Sequence, residues 1–141
     1  MNMVGLVVAT HGRLADEMVA TAEQIVGKLP LVATCSIEPG TALEDLRAKM
    51  RAAIAQVDQG MGVIVLADLF GGTPCKESLM MCQRLNIEVL AGVNLPMLLK
   101  ANSLRNERLP LQEMASMLAA YGQRNITCAS ALLREAQAPR T

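Results

Sequence analysis

His11 is the only histidine in a chain of 141 residues. It stands between an apolar run, Val4 to Ala9, and Gly12. A neutral imidazole attacks through one ring nitrogen when the other holds the proton. A carboxylate that accepts that N–H fixes the tautomer, orients the ring and stabilises the positive charge that grows during attack. Asp68 is the candidate carboxylate, because it ends a second apolar run, Gly62 to Ala67. Behind it come Leu69-Phe70-Gly71-Gly72-Thr73-Pro74. Gly71 and Gly72 would let backbone come close to an anion, and Gly12 offers the same beside the histidine. Thr73 suits the N-cap and Pro74 the first turn of a helix, whose free N–H groups favour negative charge. Attack on phosphorus followed by phosphoryl transfer fits this set. Such transfer rests on positioning and charge stabilisation, so no metal or other cofactor is required in principle.

Each residue also has a purely structural reading. A histidine after a strand can be a hydrogen-bonded surface group. Gly-Gly-Thr-Pro can be a tight strand-to-helix turn, and it is not a Walker loop, since G-x-x-x-x-G-K-[ST] is absent. Asp68 and Asn94 can cap turns. What favours a site is coincidence: Thr10-His11-Gly12, Asp68 to Thr73 and Asn94-Leu95-Pro96 all follow strand candidates. Ligands of open α/β sheets bind beyond the carboxyl ends of the strands, where strand order reverses. If the first and third strands are neighbours, His11 and Asp68 face each other across that rim.

The elements that must position these residues follow from periodicity. Val4–Ala9 suits a strand buried on both faces, Gly62–Ala67 reads as the clearest buried strand, and Leu31–Ile37 and Ile87–Val93 are the second and fourth strand candidates. Leu14, Met18, Ala22, Ile25 and Leu29 mark an amphipathic helix ended by Pro30. Thr41 to Glu44 fits a capping box for a helix carrying Leu43, Leu46, Met50, Ile54 and Val57. Pro110 opens a helix that Gly122 is placed to end. Ile126–Leu133 is a last strand candidate. The alternation predicts an α/β fold, a doubly wound parallel sheet with helices on both faces. One domain over residues 1–134 is expected, followed by a polar, flexible tail over 135–141.

Composition narrows the class. Thirteen Lys and Arg balance thirteen Asp and Glu, which leaves no electrostatic footprint for nucleic acid or an anionic membrane. An apolar fraction of 52% is too high for disorder and points to a buried interface between subunits. Phe70 and Tyr121 are the only aromatics, so aliphatic side chains and ten methionines must fill the core. Cys35, Cys75, Cys82 and Cys128 include no C-x-x-C pair and read as reduced thiols. The first ten residues read as a strand and not a signal peptide, and no apolar run approaches a membrane span. A cytoplasmic protein is expected.

Three segments in combination, Val7-Val8-Ala9-Thr10-His11-Gly12, Asp68 to Pro74 and Ala91-Gly92-Val93-Asn94-Leu95-Pro96-Met97-Leu98, resemble the IIA component of the mannose-type phosphoenolpyruvate-dependent sugar phosphotransferase system. Their order and spacing match over essentially the whole chain. The resemblance implies a phosphocarrier with a phosphohistidine intermediate. His11 would accept the phosphoryl group from HPr and donate it to a IIB component. Asp68 would match the carboxylate bonded to that histidine, and Thr73 the Ser/Thr beside the phosphoryl group. It also implies a sheet of four parallel strands and a homodimer, in some members with a C-terminal antiparallel strand exchanged between subunits. Ile126–Leu133 would be that strand.

One departure stands out: the family usually continues Gly-Gly-Ser/Thr-Pro with an apolar residue and Asn, whereas Cys75 and Lys76 follow here. A lysine in the first helical turn opposes the helix dipole, and it could attract the phosphoryl group or an acidic partner. Partner choice is thereby open. Three other readings stand beside the carrier. They are a regulatory phosphoprotein, the phosphotransfer subunit of a dihydroxyacetone kinase, and a metabolite-binding module without catalysis.

Overall fold

A computed structural model describes residues 2–139. Strands β1 (Gly5–His11), β2 (Val32–Ile37), β3 (Val63–Ala67) and β4 (Ile87–Ala91) form one sheet in the order β2-β1-β3-β4. All three pairings are parallel, and β1 and β3 are in register from Gly5 opposite Val63 to Ala9 opposite Ala67. The chain steps from β1 outward to β2, then returns past β1 to β3 and β4. The switch point therefore lies between β1 and β3, which meets the condition for His11 and Asp68 to face each other.

The helices are α1 (Leu14–Val26), α2 (Leu43–Val57), α3 (Thr73–Met81), α4 (Leu95–Leu104), α5 (Leu111–Arg124) and α6 (Ala129–Gln137), with a 3-10 turn at Arg105–Glu107. Successive strand residues point to opposite faces, which divides the core in two. Leu6, Val8, Ile64 and Leu66 pack with Ala15 and Ala22 of α1, Leu98 and Ala101 of α4 and Met114 and Leu118 of α5. Val7, Ala9, Val63 and Val65 pack with Leu46, Met50 and Ile54 of α2 and Met81 of α3. β1 and β3 are thus covered on both sides, so the ends of these two strands are held rigidly. At the opposite end of the sheet, buried Arg105 donates through Nη1 to the carbonyls of Val4 and Leu31, each at 3.2 Å. Burial pushes its guanidinium down to about 10.

Several boundaries differ from the pattern-based expectation. Ile126–Leu133 is not a strand: α6 occupies Ala129–Gln137, and residues 126–128 have no regular structure. The apolar residues there do not alternate, and Ala, Leu, Arg, Glu and Gln prefer helix. An antiparallel strand is therefore absent from the described residues. The helix also runs past the 134/135 boundary expected for a flexible tail, whose last two residues lie outside the described ones. α1 stops at Val26, where Gly27 takes φ +85°, before Pro30 can act. The capping box does not form, because Thr41 Oγ1 instead donates to the Glu38 carbonyl at 2.8 Å. Gly122 does not end α5. It lies inside the helix, where an added Cβ would meet Met97 Sδ at 2.5 Å, so it serves close packing of α5 on α4.

Candidate functional site

His11 is the last residue of β1 and Asp68 the first after β3. Because these strands are adjacent and in register, their ends bring the two side chains together. His11 Nδ1 lies 2.8 Å from Asp68 Oδ2. The His11 backbone N–H donates to that same oxygen at 3.0 Å, and the Leu69 N–H donates to Oδ1 at 3.0 Å. The Asp68 side chain keeps 11% of its exposure and the His11 side chain 49%. One partner is thus a largely covered anchor and the other an accessible ring. Burial raises the Asp68 carboxyl, but the bonds from the His11 ring and backbone, the His11 charge and its own backbone contact outweigh it. Its pKa is lowered on balance.

Gly72 completes the ring's setting. A Cβ built there would fall 2.8 Å from His11 Cε1, so only glycine admits the imidazole in this position. Gly71 has φ +84°, a left-handed conformation that side chains other than glycine adopt at a cost. Gly12 has φ +55° and its N–H donates to the Ile37 carbonyl at 2.9 Å, which ties the exit of β1 to β2. Thr73 is the first residue of α3 and Gly72 its N-cap, so the expected Thr73 cap is displaced by one position and makes no side-chain capping bond. Thr73 is exposed at a helix N-terminus, beside the loop that holds the ring.

The third strand-end segment is used differently. Asn94 caps α4 by accepting the Met97 N–H at 3.0 Å, and its Nδ2 donates to the Gly122 carbonyl at 3.1 Å. Its side chain is committed to packing α4 against α5 and not to the His11 rim. Two further features of the rim leave no pattern in the sequence. Thr10, fully buried, accepts the Ala15 N–H through Oγ1 at 2.7 Å and so fixes the start of α1 next to His11. Leu69 and Phe70 are 50% and 81% exposed on the loop beside the ring, an apolar tip that composition alone could not place. Among the described residues no group of three or more His, Cys, Asp or Glu could hold a metal ion. No helix among them is long and apolar enough to cross a membrane.

A doubly wound parallel sheet with a histidine–carboxylate pair at its switch point defines the class. Residues 5–119 match the family model EIIA-man, described as the PTS system fructose IIA component. The chain belongs to this family of phosphotransferase-system IIA components. It is 31% identical over 137 residues to the PTS system mannose-specific EIIAB component of Escherichia coli K12, which covers 96% of this chain and 42% of that protein. The chain thus spans less than half the length of that relative. The PTS system fructose-specific EIIA component of Bacillus subtilis is 27% identical over 91% of this chain and 88% of its own. Among solved structures, the mannose/sorbose-specific IIA subunit from Enterococcus faecalis superposes with a TM-score of 0.80 at 33% identity, covering 89% of this chain and 94% of that one.

Proposed function

We propose that this protein carries a phosphoryl group on His11, accepting it from phospho-HPr and passing it to a IIB component. The observation that carries the reading is the bond between His11 Nδ1 and Asp68 Oδ2. With Nδ1–H donated to the carboxylate, the lone pair of Nε2 is the nucleophile. Nε2 attacks phosphorus in line. The bond between phosphorus and the donor's atom breaks, and that atom leaves with the electron pair. The proton stays on Nδ1, and Asp68 balances the charge the ring acquires. Gly12, Gly71, Gly72 and Thr73 are assigned to the phosphoryl group, with α3 supplying free N–H groups at its start. Donation to IIB is the same step in reverse order. The exposed Leu69 and Phe70 give a protein donor an apolar contact beside the ring. The same reading places the protein in the cytoplasm and pairs it with a second copy.

The test is direct. Incubation with phosphoenolpyruvate, enzyme I and HPr is expected to add one acid-labile phosphoryl group by intact mass, and none to His11→Ala. No added mass with active upstream proteins overturns the proposal. Subsequent incubation with candidate IIB proteins is expected to discharge the label.

A further inference from the structure

A cleft of about 340 Å³ opens between α2 and the end of α3, on the sheet face away from α1, α4 and α5. Its walls include Arg47, Arg51, Glu77, Met80, Arg84 and Leu85. Glu77 is only 6% exposed, and its Oε2 accepts from Arg47 Nε at 2.8 Å. A buried carboxylate of this kind is held by its partner, and in turn fixes the guanidinium plane. The bond uses Nε, and neither Nη of Arg47 has a side-chain or carbonyl acceptor among the described residues. Arg51 lies one turn further along the same face of α2. Arg84 follows α3 in a turn closed by its N–H on the Met81 carbonyl at 3.1 Å. Among the described residues neither Arg51 nor Arg84 is in an ion pair.

Three arginines and one carboxylate thus line the cleft, and Glu44 is the one further carboxylate acting on Arg47, which leaves the lining basic on balance. Guanidinium forks match the oxygens of carboxylate and phosphate. Beside them Met80 and Leu85 remain 55% and 41% exposed and form an apolar wall of the cleft. The volume falls within the range of small-molecule sites, roughly 300–1,000 Å³.

We infer that this cleft is a second ligand site, separate from the His11 rim, for a small organic dianion with a short apolar body. The chemistry is that of a phosphate monoester or a dicarboxylate. Arg51 and Arg84 bind the anionic groups, Arg47 braces them from Glu77, and Met80 and Leu85 cover the carbon skeleton.

Titration of the full chain with phenyl phosphate and, separately, with succinate tests this by backbone and arginine Nε–H resonances in NMR spectra. With at least one probe, saturable shifts are expected across Met80–Leu85 and at the side chains of Arg51 and Arg84. The probe that saturates identifies the source of the dianion. Affinity should fall at least about tenfold in Arg51→Ala/Arg84→Ala and in the milder Arg84→Gln, and should persist in His11→Ala. Both arginines are exposed, so thermal unfolding should remain near that of the parent. No saturation with either probe, or equal affinity in the arginine variants, overturns the inference. Loss of the signal in His11→Ala also overturns it, by placing the ligand at the rim.

Discussion

Asp68 Oδ2 accepts both the ring Nδ1 of His11, at 2.8 Å, and its backbone N–H, at 3.0 Å. One oxygen thus fixes the end of strand β1 and the imidazole it carries. Removing the carboxylate leaves the ring present but without a defined tautomer or direction. Asp68→Ala and Asp68→Asn should each slow phosphorylation of His11 by about tenfold or more, with Asn the milder. Time courses of intact mass with excess phospho-HPr measure this. An unchanged rate in both variants would remove Asp68 from the site.

Gly71 and Gly72 are adjacent but make opposite demands, which separates a steric role from a conformational one. Gly72 has ordinary φ, −73°, yet its missing Cβ makes room for His11 Cε1. In Gly72→Ala the half-exposed ring should yield rather than the loop. Stability should then change by less than about 0.5 kcal/mol while phosphorylation slows about tenfold or more. Gly71 has open space around it but φ +84°. Gly71→Ala should cost about 1–2 kcal/mol of stability with a smaller loss of rate. Urea unfolding and phosphorylation kinetics on the two variants decide it, and the reverse pattern would refute the assignment.

Much of this arrangement was legible in the sequence because it depends on short-range rules. Buried strands announce themselves as unbroken apolar runs, which put His11 and Asp68 at strand ends, and the pairing of β1 with β3 is what then brings the two together. The Gly-Gly-Thr-Pro loop was legible for the same reason, although its cap is Gly72 and not Thr73. What was not legible depends on tertiary contact. Asn94 looks like a third polar site at a strand end, but only the position of Gly122 on α5 shows that it is a packing residue. The residues from Ile126 onward are apolar enough for a strand, but Ala129–Gln137 is rich in Ala, Leu, Arg, Glu and Gln and forms a helix. Arg47 and Glu77 are thirty positions apart, and nothing local pairs them.

The lowered Asp68 carboxyl makes the His11 contact a source of acid-dependent stability. Its folded value lies below the unfolded value of about 3.9. The contribution is therefore complete above the unfolded value and is lost as pH falls through the folded one. The stability difference between the parent and Asp68→Asn should narrow as pH falls below about 5 through the carboxylate range. Urea midpoints across that range measure it. A difference that stays constant or widens in acid would show that the carboxylate is not stabilised by the fold.

Helix α6 supplies the last prediction. It is nine residues long and has no buried residue. Isolated helices shorter than about 12–15 residues are marginal in water, so this one needs a surface to rest on. Leu132 and Leu133 are 55% and 58% exposed, and Ile126, just before the helix, is 79% exposed. Together with the high apolar fraction, these residues favour a second copy of the chain as the missing surface. Light scattering at micromolar concentration should report a dimer. Leu132→Ser/Leu133→Ser should shift it to monomer and lower the helical circular dichroism signal, while His11 remains phosphorylatable. A parent protein that is monomeric at that concentration, or a double variant that stays dimeric, would place the interface elsewhere or deny it.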